Sequence, residues 1–282
     1  MRSFRFLALG VLGLFAARIA HAQVSPFYLT AGQPDGQIFV LQNGVFTNRW
    51  TANFHDYDPF DIEYGIAVFG DVRTIGAGPP KPGSQYTLEG QFTGTTYPYP
   101  SVVGHTWDAT TDGVHNYLGD FTNLGPGTIY STDREWSNPV ALFDVGSYPL
   151  GITYDFVNNS LWINRWGTHF IGDYALDGTL LSSFTVPADF VGSLGFDPAD
   201  QTLWFFDRGT LGSTNTFYQY SRSGAQLSSQ SHPELGRQNF LGGEFNGTTV
   251  TPEPTTLALM TAGLVAVGAF ASRRRKRNSM NT

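Results

Sequence analysis

The sequence predicts an all-β chain, a ring of about five four-stranded sheets of the β-propeller type, and three observations predict it. The first is a duplicated unit. Gly151-Ile-Thr-Tyr-Asp leads through Leu161-Trp162 to the turn at Asp177-Gly178, and Ser193-Leu-Gly-Phe-Asp leads through Leu203-Trp204 to the turn at Ser223-Gly224. Asp155 and Asp197 each stand seven places before a tryptophan, Trp162 and Trp204, and the copies are offset by 42 residues at the aspartate and 46 at the glycine. That period is the length of a four-stranded blade. The second is alternation of apolar and polar residues in short runs broken by Asn-Asn, Asp-Gly and Ser-Gly, which places one face of each strand in a core and supplies tight turns. The third is a mismatch at the ends. Residues 27–51 supply about three strands, while Gly243-Glu-Phe-Asn resembles the first strand of a unit with nothing after it. A ring closed by both ends of the body requires that surplus and that deficit, because pairing them removes a free sheet edge.

Each element follows in order. Met1 to Ala22 carries Arg2 and Arg5, an apolar run from Phe6 to Ala17, and Ala20-His21-Ala22. These are the three parts of a secretory signal peptide, with cleavage expected between Ala22 and Gln23. Asn43-Gly44 between apolar runs predicts a hairpin in the first unit. The second unit spans Gly65 to Gly94, with strands expected near Ile66–Phe69, Val72–Ile75 and Tyr86–Phe92, and a proline-rich loop from Gly78 to Gly83. A third unit begins at Gly104, where Asp108 precedes Asp155 by 47 residues. The two clear copies are the fourth and fifth. The body expected to fold is thus 23–251, flanked by a signal peptide (1–22) and a separate tail (252–282).

Composition narrows the chemistry. The 282 residues include 33 Gly, an aromatic fraction of 15% and no Cys. Disulfides, thiolate metal sites and thiol nucleophiles are therefore excluded. Between Gln23 and Pro252 stand eight basic and 22 acidic residues, a net charge of −14. Such a body repels nucleic acid and anionic lipid, so neither is expected as its partner.

The tail reads Pro252-Glu253-Pro254, then 18 uncharged residues from Thr255 to Ser272, then Arg273, Arg274, Arg275, Lys276 and Arg277. The uncharged run meets the lower length of a transmembrane helix, and the basic cluster is expected to hold the cytoplasmic side, leaving the body outside. These three parts in this order resemble the PEP-CTERM sorting signal of Gram-negative bacteria. The resemblance covers about the last tenth of the chain. It implies export by the secretion machinery, transient anchoring in the inner membrane through the C-terminal helix, recognition and cleavage near the Pro-Glu-Pro by an exosortase-type membrane protease, and a final place at the cell surface or outside it, in species that make exopolysaccharide. The repeats also resemble propeller domains carried by other members of that group.

Candidate sites are few. The acidic stretch His55-Asp56-Tyr57-Asp58-Pro59-Phe60-Asp61-Ile62-Glu63 is the densest set of oxygen ligands, and Asp56, Asp58, Asp61 and Glu63 are the candidates for a Ca²⁺ site. The stretch lacks the spacing of an EF-hand, and a solvated loop between blades is the competing and preferred reading. Trp107, Trp162, Trp166 and Trp204, with Tyr154 and Tyr174, are candidates for a sugar-stacking platform. Recurrence of Trp162 and Trp204 at one repeat position favours an interblade core for those two, leaving Trp166 as the ligand candidate. Asp155 and Asp197 are expected to accept backbone hydrogen bonds in the hairpin that follows them. His55, His105, His115, His169 and His232 show no metal-binding spacing, and neither a Gly-x-Ser-x-Gly elbow nor a P-loop occurs. No cofactor is expected. The reading is an exported structural or binding component without catalysis, associated with exopolysaccharide. Its rivals are a glycosidase or lyase with carboxylates gathered at the propeller axis, and a calcium-dependent adhesion module.

Overall fold

A computed structural model describes residues 25–248, apart from 33–35, 56–62, 122–124, 147, 189–190, 208–214 and 236–237. The signal peptide and its cleavage site, the Pro-Glu-Pro motif, the uncharged run and the basic cluster all lie outside the described residues, as do Asp56, Asp58 and Asp61. Among the described residues no helix is long and apolar enough to cross a membrane.

Among the described residues, twenty strands form five four-stranded antiparallel sheets. The second blade is β4 (Glu63–Val68), β5 (Val72–Gly76), β6 (Gly83–Tyr86) and β7 (Phe92–Tyr97). The third is β8 (Ala109–Thr111), β9 (His115–Gly119), β10 (Thr128–Asp133) and β11 (Val140–Asp144). The fourth is β12 (Pro149–Asp155), β13 (Ser160–Arg165), β14 (Phe170–Ala175) and β15 (Leu180–Thr185). The fifth is β16 (Val191–Asp197), β17 (Thr202–Asp207), β18 (Thr216–Ser221) and β19 (Gln226–Ser231).

The first blade is composite, as the end mismatch predicts. Strands β1 (Phe27–Ala31), β2 (Gln37–Gln42) and β3 (Val45–Thr51) take their inner strand from β20 (Phe240–Phe245). The pairing is antiparallel, with Phe27 opposite Phe245 and Leu29 opposite Gly243. Stacking of the Phe27 and Phe245 rings at 4.4 Å locks the seam.

Burial falls from the axis outward, and the sequence follows it. Every residue of the inner strands β4, β8, β12, β16 and β20 is buried, whereas β7 and β19 are exposed along nearly their whole length. These two outermost strands are accordingly rich in Ser, Thr and Gln, which blunts an edge open to other chains. Inner strands converge, so small residues recur there: a Cβ at Gly242 would lie 2.0 Å from the carbonyl oxygen of Tyr64. Between neighbouring blades lie five apolar clusters. Trp162 sits in the one joining the fourth and fifth blades, and Trp204 packs against the one joining the fifth and first, so both belong to interblade cores as their recurrence predicts.

Two expectations need correction. The strand expected over Tyr86–Phe92 is a turn between β6 and β7. Tyr86, Leu88 and Phe92 give the spacing of a strand, but Gly90 adopts φ +90 and Thr87 N–H donates to Gln91 O at 2.9 Å, closing the chain on itself. The third unit is also out of register. Thr111 pairs with Asn116 as Asp155 pairs with Ser160, so Thr111 is the counterpart of Asp155, and Asp108 lies three places nearer the start of its strand.

Asp155 and Asp197 do what the repeat implies. Asp155 Oδ1 accepts from Val157 and Asn158 N–H, and Asp197 Oδ1 accepts from Ala199 N–H at 2.9 Å. Their second oxygens differ. Asp155 Oδ2 takes the indole N–H of Trp162 and the Arg222 guanidinium at 2.8 Å, whereas Asp197 Oδ2 takes the backbone N–H of Ser25. Burial, helped by Asp200 nearby, pushes the Asp197 carboxyl up to about 6. A carboxyl that holds its proton more tightly when folded stabilises the fold most below its unfolded value of 3.8, and that advantage is lost as pH rises towards 6. The stability of the native chain relative to Asp197→Asn is therefore expected to fall by about 2 kcal/mol between pH 4 and pH 7. Urea melts of the two proteins at both pH values measure it, and a constant difference refutes it.

Candidate functional site

The inner strands all start on one face of the ring, here the entry face, and four of them, β4, β8, β12 and β16, end in hairpins on the other, where β20 also ends. The axis between them is filled by side chains. Asp108, one residue before β8, accepts backbone N–H bonds from the inner strands of three other blades: Ile152 at 3.2 Å, Leu194 at 3.2 Å and Gly243 at 2.9 Å. A fourth comes from its neighbour Ala109. One level further along, the Glu244 carboxylate accepts from Thr153 Oγ1 at 3.2 Å and from its neighbour Phe245 N–H. Thr153 Oγ1 in turn accepts from Phe196 N–H, and Thr110 Oγ1 from Tyr154 N–H.

Asp108 and Glu244 are 1% and 2% exposed. Burial raises both carboxyls well above the ordinary carboxylate range, and the charge of Glu244 adds to the rise at Asp108; the backbone donors pull Asp108 back but do not offset burial. These are the carboxylates that an axial hydrolase would need, yet they are sealed from solvent and bonded to the frame. Their arrangement holds the inner strands of the third, fourth, fifth and first blades together.

Glu63, the described member of the acidic stretch, is likewise enclosed. Its oxygens accept from Ser84 Oγ at 2.7 Å, Tyr86 Oη at 2.9 Å, Phe54 N–H at 3.1 Å and Thr74 Oγ1. Four donors leave it no open position for a cation, and burial raises its pKa. Among the described residues no group of three or more His, Asp or Glu is placed to hold a metal.

The entry face carries a connected run of aromatic rings. Tyr64, buried on β4, lies 5.0 Å from Trp107, which precedes β8. Trp107 meets Phe121 edge-on at 5.6 Å, beyond β9. Phe121 meets Tyr148, ahead of β12, at 5.2 Å and Trp166, beyond β13, at 5.7 Å. The run thus climbs from the core, where Leu150 and Leu241 support it, across three blades to solvent. Trp166 is 43% exposed, an uncommon state for so large an apolar side chain. It is held firmly all the same: its N–H donates to Tyr148 O at 2.9 Å, and the turn behind it, with Gly167 at φ +66, is closed by Thr168 Oγ1 donating to Arg165 O. On the far side of Phe121 the Trp107 indole N–H is buried without a protein acceptor. A rigid, exposed aromatic ring is suited to a flat ligand with one apolar face.

Of the aromatic residues singled out by sequence, the structure joins Trp107 and Trp166 and separates the rest. Tyr154 stacks on Tyr117 at 5.7 Å and Tyr174 on Phe143 at 5.8 Å, both inside the blades' packing. Phe121, Tyr148 and Tyr64 complete the run without any sequence signal, since Phe121 and Tyr148 come from different connections, Tyr64 from β4, and none recurs.

Residues 250–276 match the PEP-CTERM protein-sorting motif. No protein among the curated ones matches the sequence. Among solved structures, the chain is similar to one from a nidogen/laminin complex, with a TM-score of 0.52 and 17% identity over 77% of this chain and 97% of that one. It is also similar to a protein of unknown function from Bacteroides caccae (TM-score 0.46, 11% identity, 74% of this chain and 73% of that one). A third is virginiamycin B lyase from Staphylococcus aureus (TM-score 0.43, 16% identity, 70% and 63%). At these identities the first likeness speaks to the fold alone, and the other two carry no argument.

Proposed function

We propose that this chain, an exosortase-sorted extracellular protein by its PEP-CTERM motif, works outside the cell as a non-catalytic binding component of the exopolysaccharide layer. We place the contact on the entry face, where sugar rings stack on Trp166 and Phe121. The observation that carries this reading is Trp166 itself, a large apolar ring held in the open by its own turn and by Phe121. The tail acts before this role begins: its uncharged run anchors the chain in the inner membrane until the exosortase-type protease cuts near Pro252.

A non-catalytic reading is favoured over a glycosidase or lyase because Asp108 and Glu244 are closed in by backbone donors, with no open space for water between them and a sugar. The calcium-dependent reading has only Asp56, Asp58 and Asp61 left to it, since Glu63 is occupied within its blade.

Trp166→Ala is expected to weaken binding of the mature protein to its host's exopolysaccharide about tenfold, which is 1.4 kcal/mol. Its melting temperature is expected to stay within a degree or two of the native one, because the ring adds little to the core. Affinity electrophoresis in gels containing the polysaccharide reads the first and calorimetry the second. Equal retardation of variant and native protein would dispose of the site, and appearance of new reducing ends or unsaturated sugars would replace binding with cleavage.

A further inference from the structure

The carboxyl end of the body leaves the ring at one place, and that place fixes which face looks outward. After β20 the chain turns under the axis on the hairpin face. Gly247 N–H donates to Val68 O at 3.1 Å, at the end of β4, and Asn246 Oδ1 accepts from Gly70 N–H at 3.1 Å. Gly247 lies against Phe156 and Phe69, whose rings stack at 6.3 Å; a Cβ there would be 2.4 Å from Phe156. Phe69 also backs Gly113 in the neighbouring hairpin. The exit is therefore central, ringed by the hairpins of the second, third and fourth blades. Two of these hairpins show bare valines at their tips, Val114 at 67% and Val157 at 49% exposure.

From Thr248 to Thr255, where the uncharged run begins, are seven residues, which reach about 25 Å even when fully extended. Turning the ring over would require more. The chain would have to run from the centre past three further strands, about 14 Å, and then down the depth of a six-residue strand, about 20 Å.

We infer that, while its tail is uncut, the propeller is held with its hairpin face, including Val114 and Val157, against the bilayer surface and its aromatic entry face turned away from it. This rests on the anchoring proposed above, and it adds the consequence that the Trp107–Phe121–Trp166 run is open to polysaccharide before and after cutting alike. The acidic body gains nothing from anionic headgroups; the short tether and the central exit set the orientation.

The chain has no cysteine, so single-cysteine variants report on each face without further changes. In host cells lacking the processing protease, Val114→Cys and Val157→Cys are expected to react several-fold more slowly with a bulky polyethylene-glycol maleimide than Val102→Cys, which lies on the entry side at 57% exposure. After detergent releases the full chain, all three are expected to react at similar rates, which also shows that the variants are folded and equally reactive. Equal rates on membrane-held chain would overturn the orientation while leaving the anchoring intact. Recovery of uncut chain in the soluble fraction would instead overturn the anchoring, and the orientation with it.

Discussion

Replacing Asp108 with alanine is expected to bring the domain to the edge of unfolding. The substitution strands four backbone N–H groups, those of Ala109, Ile152, Leu194 and Gly243, in a region with almost no solvent access. Each buried donor left unpaired costs about 1–3 kcal/mol, so a loss of about 4 kcal/mol or more follows even if water enters to satisfy some of them. Domains are stable by about 5–15 kcal/mol in all. Asparagine, nearly isosteric, is expected to cost at least half as much as alanine, because its amide would turn a donor toward the N–H groups that now meet an oxygen. That second result separates two roles. A catalytic carboxylate in an open site tolerates the amide with its fold intact and loses only activity; a carboxylate that pins inner strands loses the fold with either change. Urea midpoints for the three proteins decide the matter, and an Asp108→Asn variant as stable as the native chain would mean that the axis is not held in this way.

The same residue shows what could be read in advance and what could not. Asp155 and Asp197 announce themselves because each serves a hairpin within three residues of itself, so the pattern repeats with the blade. Trp162 and Trp204 repeat with them because each packs in or against an apolar cluster between blades, although only the indole N–H of Trp162 reaches its aspartate, that of Trp204 donating to Thr202 Oγ1 instead. Ring closure is legible too, since Gly243-Glu-Phe-Asn has the composition of an inner strand and no partner strands after it. Asp108 has no such signature. Its donors are backbone groups 44, 86 and 135 residues away, which carry no side-chain motif at all. Matched by residue type alone it falls over Asp155, and only the pairing of Thr111 with Asn116 restores the register. The aromatic run was half visible for a related reason. Trp107 and Trp166 are rare residues and draw notice singly, but the ring that joins them, Phe121, sits in a connection between β9 and β10 that no other blade copies. Function built on loops that differ from blade to blade escapes a reading based on what the blades share.

Ending the chain at Gln238 is expected to abolish cooperative folding, whereas ending it at Thr251 is expected to leave the melt unchanged. Only the shorter chain lacks β20, and with it Phe240, Leu241 and Phe245, all buried to 2% exposure or less. Burying side chains of this size is worth about 1.5–3 kcal/mol each, so the three together rival the whole stability of a domain. The loss also uncovers one side of β1, whose ladder to β20 runs from Phe27 opposite Phe245 to Ala31 opposite Phe240, and takes Gly243 N–H from Asp108. Five sheets would then form an open arc with two hydrophobic flanks, a state prone to associate rather than fold. The contrast bears on processing. The last described contacts of the body end at Thr248, and the match to the sorting motif begins at residue 250, so a cut near Pro252 removes the tail without touching the strand that closes the ring. Circular dichroism melts and limited proteolysis of the two truncated chains test this directly. A sharp melt for the chain ending at Gln238, within a few degrees of the native one, would show that the seam contributes little and that closure by β20 is not what holds the five blades together.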